Sequence, residues 1–348
     1  EILVPYAPET FDGIIRKLMQ TGLEPSFLSS KLISSADACR FDQVQKGSLN
    51  ETPTVVDKSI EAVSRVFGWG KDQLLSAQPL SVPALAGAQA RFKMPARRNA
   101  DQTTLYAAYA FYLARLVLQA TPKGPLNPVP DEPDAFLELY HASYQELDFR
   151  NLLNFCWDLG IPIMPLSDGG QFHGACWRME GRNVVVMKQR TPHTGRWLFD
   201  LLHELYHVSQ RPEETDFLVL EAAETSVERR ESDEEIRASQ FAGEVALRGQ
   251  AENLTQVVIN QSNGDIRRVK SLVSQVAEAH DIDVGLFANY LAFRLQMQGI
   301  NWWGAAANLQ RSSEDPWEIA RDVFCERFSF EGIDATDQSI LDRALERT

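Results

Sequence analysis

Apolar residues recur at intervals of three and four through most of this chain, the period of helices that turn one face inward. Ile14, Ile15, Leu18, Leu23, Phe27, Leu28 and Leu32 carry that period near the start, with Gly22 interrupting it. Ser34-Ser35-Ala36-Asp37 supplies a polar helix start and Lys46-Gly47 a stop, so a helix is predicted over about 35–45. Further helices are predicted over 55–67, 105–119 and 136–159, from Trp197 through His207, from Glu235 to about Arg248, and over 269–280 and 286–298. The pattern changes to strand-like in 171–179 and 183–188, with Glu180-Gly181-Arg182 as the turn between them. Residues 121–133 are proline-rich and read as a loop. The expected fold class is α+β and predominantly helical, with a small β-hairpin or sheet.

The helix predicted from Trp197 contains His203-Glu204-Leu205-Tyr206-His207, an H-E-x-x-H motif flanked by Leu198, Phe199, Leu201 and Leu202. Positions i and i+4 lie one turn apart on the same helix face, so both imidazoles can reach one metal ion. Glu204 follows about 100° further round, where a carboxylate can take a proton from water without ligating the ion. With six histidines and 48 acidic residues in 348 positions, chance gives the motif on the order of 0.01 times per chain. A surface helix with a solvated glutamate between two histidines is the competing reading, and the apolar flanks count against it. The expectation is a zinc hydrolase, with Zn2+ held by His203 and His207.

Three protein ligands and one water are usual in catalytic zinc sites, so a third ligand is required. Gln210 and Glu213 stand where an extended motif would carry Gly and His, and no E-x-x-x-D helix follows between Asp216 and Asp265. Glu235 opens a helix in which Ala238 and Ala242 share its face. Glu221, Glu224, Glu228, Glu231 and Glu234 compete with it, and spacing alone leaves the choice open.

His203-Glu204-Leu205-Tyr206-His207 followed by Glu235-x-x-Ala238-x-x-Phe241-Ala242 resembles the ImmA/IrrE family of metallopeptidases, in which H-E-L-G-H is followed by E-x-x-A-N-x-F-A. Residues 154–163 are similar to that family's helix and first strand, and Gly169 to Lys188 to its hairpin. The resemblance covers about 145–295. It implies a zincin-like core, Zn2+ held by His203, His207 and Glu235, and Glu204 as general base in peptide hydrolysis. It also implies a protein substrate, a transcriptional repressor of the XRE type, whose cleavage relieves repression in stress, mobile-element or anti-phage settings. Tyr206 stands where the family has Gly, and Ser239 where it has Asn.

In zincins an edge strand can pair with an extended substrate, and the hairpin is expected to serve so here. Cys176 lies on it, a candidate fourth zinc ligand and latency switch, or else a small buried hydrophobe. His193 and His173 are candidate oxyanion donors, and Asp200 a candidate support for a histidine.

The order of helices over 11–76 resembles an XRE-type helix-turn-helix domain, with 35–45 as recognition helix. Arg40, Gln43, Gln45 and Lys46 are then the candidate DNA contacts. A scaffold used for homodimerisation or partner docking is the alternative. The expected organisation is a helix-turn-helix domain over 1–85, a basic linker with Arg91, Lys93, Arg97 and Arg98 over 86–102, a metallopeptidase domain over 103–262 and a helical region over 263–348.

Charge narrows the function classes. The net charge is −14, yet residues 1–100 carry +2 and the remainder −16, which argues against non-specific nucleic-acid binding by the whole chain. Cys39, Cys156, Cys176 and Cys325 form no C-x-x-C pair, as expected of reduced thiols in a cytoplasmic protein. Glu9, Asp12, Arg16 and Lys17 interrupt any apolar leader. The most apolar stretch, 105–120, contains Arg115 and is too short for a membrane span. The rival function is a DNA-binding regulator or antitoxin that keeps the protease fold as an interaction platform.

Overall fold

The structure, a computed structural model, describes residues 10–48, 53–81, 100–123, 128–167, 172–189, 191–222, 232–311 and 314–346. In chain order its helices are α1 (Phe11–Gln20), α2 (Pro25–Phe27, continuing into a wider turn Leu28–Leu32), α3 (Ser35–Gln45), α4 (Pro53–Phe67), α5 (Lys71–Leu75), α6 (Ala100–Ala120), α7 (Pro133–His141) and α8 (Phe149–Asp158). Strands β1 (Ile163–Pro165), β2 (Phe172–Met179) and β3 (Arg182–Met187) precede α9 (Thr194–Ser209), and β4 (Phe217–Ala222) follows it. Then come α10 (Asp233–Ala246), α11 (Ala251–Ser262), α12 (Ile266–Ala279), α13 (Val284–Gln296), α14 (Trp303–Ala307), α15 (Pro316–Arg327) and α16 (Ala335–Ala344). The expected class holds: helices dominate, with one small mixed sheet. Among the described residues, no helix is long and apolar enough to cross a membrane.

The chain divides into two compact units. The first joins residues 1–122, 166–172 and 328–348; the second joins 123–165 and 173–327. The helix expected to open the metallopeptidase region, α6, therefore falls in the first unit, and so does α16 from the expected C-terminal region. The basic linker residues Arg91, Lys93, Arg97 and Arg98 lie outside the described residues.

In the first unit, Thr10 and Ser34 cap α1 and α3, accepting from the backbone N–H of Gly13 at 3.2 Å and of Asp37 at 3.2 Å. The inner faces meet through aromatic edges, Phe11 on Phe41 and Phe27 on Tyr109. Asp37 pairs with Lys58 at 2.8 Å, tying α3 to α4. Arg65 of α4 reaches Asp334 and Asp337 at the start of α16, which attaches the last helix to this bundle.

In the second unit the strand order is β1-β3-β2-β4. Strand β1 runs parallel to β3, and β2 runs antiparallel to it with Gly174 opposite Met187, Cys176 opposite Val185 and Arg178 opposite Asn183. Glu180 and Gly181 both have positive φ, 51° and 77°. This is the two-residue turn whose twist matches that of a hairpin. The hairpin is inner, with β1 on one side and β4 on the other. That corrects the expectation that the hairpin edges the cleft: its hydrogen-bonding edges are already taken, and β1 and β4 are the outer strands. Successive side chains alternate between faces, so Gly174, Cys176 and Arg178 share one face of β2, and that face meets α9.

Candidate metal centre

Helix α9 is buried along almost its whole second half, Leu201 through Val208. His203, Glu204 and His207 are therefore carried inward, with 7%, 2% and 1% of their surface exposed. The N-terminus of α10 meets this helix. Ser232 caps α10, accepting from the N–H of Glu235 at 3.4 Å, which sets Glu235 in the first turn.

The three groups converge. Nε2 of His203 lies 3.2 Å from Nε2 of His207 and 3.2 Å from Oε2 of Glu235, and Nε2 of His207 lies 3.8 Å from Oε1 of Glu235. His203, His207 and Glu235 form the group able to hold a metal ion among the described residues, with one ligand atom from each within 4.8 Å of the others. A tetrahedral ion with bonds of ~2.0–2.1 Å has ligand atoms ~3.3–3.4 Å apart. The two 3.2 Å separations, Nε2 to Nε2 and His203 Nε2 to Glu235 Oε2, lie close to that tetrahedral edge, and two imidazoles with a carboxylate are a donor set suited to a borderline divalent ion.

The electrostatics express the same crowding. Burial opposes charge on His207, but contacts with Glu234 and Glu235 outweigh it and push the imidazole up to about 10. Burial likewise opposes charge on Glu235, and the hydrogen bonds from His203 and His207 hold its carboxyl well below the usual range. Without an ion, protons hold these groups together; an ion takes the place of those protons.

Each imidazole is also met on its far side. Ser239 Oγ lies 3.3 Å from Nδ1 of His203. Glu234 Oε1 lies 3.3 Å from Nδ1 of His207, within ion-pair reach but outside the geometry of a well-formed hydrogen bond. Glu234, a competitor for third ligand on spacing alone, thus stands on the outer side of the histidine.

Glu204 is set by a glycine. A Cβ placed on Gly174 of β2 would lie 2.3 Å from Oε1 of Glu204 and 3.0 Å from its Cδ. Only a residue without a side chain admits this close approach of strand to carboxylate. Cys176, two residues on, is buried, and its thiol is pushed well above its ordinary value by burial and then by the charge of Glu204. It stands outside the ligand group.

Other expected residues fall elsewhere. Asp200 receives the Arg196 guanidinium at 2.9 Å and the Gln189 amide, so its carboxylate serves the helix start. His193 is the N-cap residue of α9, ten residues before His203 and therefore ~15 Å away along the helix. The side chains of His173 and Glu221, and residues Glu224, Glu228 and Glu231, lie outside the described residues. In the first unit, Arg40 and Gln43 on α3 and Lys46 just after it are all exposed, as is Gln45. Sequence reading missed Gly174, Arg178 and Arg211; Gly174 was visible only as one glycine in a strand pattern.

No family model, curated protein or solved structure matches the chain. The chemistry of the site therefore rests on its own residues.

Proposed function

We propose that the chain is a zinc-dependent endopeptidase with a zincin-like core, acting on a protein partner. The observation that supports this most is the convergence of His203, His207 and Glu235 to tetrahedral spacing, with Glu204 buried beside them against Gly174. His203, His207 and Glu235 would hold the ion. Bound zinc supplies Lewis acidity toward a carbonyl oxygen and toward water. Glu204 takes the proton from the attacking water on its carboxylate and returns it to the leaving amine. Its packing against β2 limits where that carboxylate can swing. Strand β4, at the sheet edge, is suited to receive an extended peptide. By the family resemblance, the substrate is an XRE-type repressor.

The test is co-expression of wild type and Glu204→Gln with repressor-like proteins encoded beside this chain, with metal analysis of both. The reading expects a fragment with wild type alone and about one zinc per chain in both. Zinc in both and no fragment from any neighbour would move the assignment to a regulator. On that second reading the exposed Arg40, Gln43 and Lys46 would be the groups that meet phosphates and base edges.

A further inference from the structure

The outer side of His207 is held by a connected set of groups for which the proposed reaction has no use. Oε1 of Glu234 faces Nδ1 of His207 at 3.3 Å, and its other oxygen lies 3.5 Å from Nη2 of Arg211. Arg211 follows the end of α9 and has φ +51°. A non-glycine residue stays in that region only where its surroundings hold it. The holder is Arg178 of β2, whose buried guanidinium donates to the carbonyls of Val208 at 2.6 Å, Gln210 at 3.2 Å, Arg211 at 2.5 Å and Glu214 at 3.2 Å. Val208 is one of the carbonyls left over in the last turn of α9 and the other three belong to its C-cap and the segment that follows, and a cation is a natural partner for such carbonyls. Both guanidinium groups also lie over the Phe217 ring, at 5.5 and 5.2 Å.

We propose that Glu234 is a positioning residue for the metal ligand His207, held in place by Arg211, whose backbone is in turn fixed by Arg178. Geometry separates this role from ligation. The two nitrogens of an imidazole point in diverging directions, so a carboxylate on Nδ1 cannot reach an ion on Nε2. Adjacent residues of one helix divide the work, Glu235 taking the Nε2 side and Glu234 the Nδ1 side. A carboxylate facing Nδ1 at ion-pair distance favours the proton on that nitrogen, which leaves the Nε2 lone pair for the ion, and its charge orients the ring. The inference rests on the metal-centre reading.

The experiment compares zinc affinity, by competition with a chromophoric chelator, for wild type, Glu234→Gln, Arg211→Met, the double variant and Glu235→Gln. Melting of each metal-free protein monitors folding. The expected result is a loss of about 10- to 100-fold for Glu234→Gln and a smaller loss for Arg211→Met. The double variant should be no weaker than Glu234→Gln, because both changes break one link. Loss as complete as that of Glu235→Gln would make Glu234 a ligand and overturn the proposal. So would unchanged affinity in Glu234→Gln, or additive losses in the double variant. Wild type that binds no zinc sinks the metal-centre reading itself, an outcome distinct from all of these.

Discussion

The groove side of α9 and α10 and the outer face of α3 both carry residues that chemistry can use, and they differ in what surrounds them. His203, Glu204, His207 and Glu235 are buried or nearly so and lie within contact distance of one another or of a partner that shapes them. Arg40, Gln43 and Lys46 stand in water. Burying an ionisable group costs several kcal/mol unless something compensates, so four such groups in one place call for a common cause. An exposed arginine or lysine costs nothing to keep and therefore carries little information. Burial makes the α9–α10 side a site, while α3 remains a surface with suggestive residues.

Removing a ligand should break this contrast most sharply. His203→Ala or Glu235→Ala should reduce bound zinc from about one per chain to background, measured by elemental analysis, while triple replacement of Arg40, Gln43 and Lys46 leaves the metal untouched. Glu204→Gln should keep the zinc and lower peptide cleavage by about 10²- to 10⁴-fold, read with a cleavable partner. Gly174→Ala should act in the same direction by about 10²-fold, since a misplacement near 1 Å is worth that much; zinc retention with full activity would show that the carboxylate does not depend on the strand.

A pH series sharpens the contrast further. The metal-free His207 keeps its proton to about 10, so zinc must displace that proton at any lower pH. Apparent zinc affinity should therefore rise with pH, by about tenfold per unit for one displaced proton, across the range from neutrality toward 10. In the metal-free protein the sign reverses. The folded value lies above the unfolded one of about 6.5, so this proton's contribution to stability is full below that pH and is lost as pH climbs toward 10. Thermal melts with and without chelator should show the two trends crossing. The smallest effect belongs to α3: alanine at Arg40, Gln43 or Lys46 should change stability by no more than about 0.5 kcal/mol.

Much of this was legible in the sequence, for a physical reason that also marks the limit. Helix α3 was expected over 35–45 and lies there, and the hairpin turn at Glu180-Gly181 was read correctly, because caps, turn residues and apolar period are local signals. His203 and His207 announce themselves through the four-residue helical step. Glu235 needed the resemblance, since nothing local separates it from Glu234; only the fold shows that the two face opposite sides of the His207 imidazole. Strand β4 was hidden at the edge of an acidic stretch, and α11 by its inner face, which is built from Ala251, Thr255 and Ser262 beside Leu254 and Val258. Contacts such as Gly174 with Glu204 or Arg178 with Val208 span some thirty residues and leave no periodic trace.

The turn at Glu180-Gly181 governs more than a bend. Because side chains alternate along a strand, one residue inserted there would slide β2 against β3 and exchange its two faces. Ala175 and Trp177 would then point at α9 in place of Gly174, Cys176 and Arg178, bringing side-chain bulk against the glutamate and withdrawing the cation from the helix end. A single-residue insertion in this turn would thereby remodel the strand face that meets Glu204 while every motif residue stayed intact.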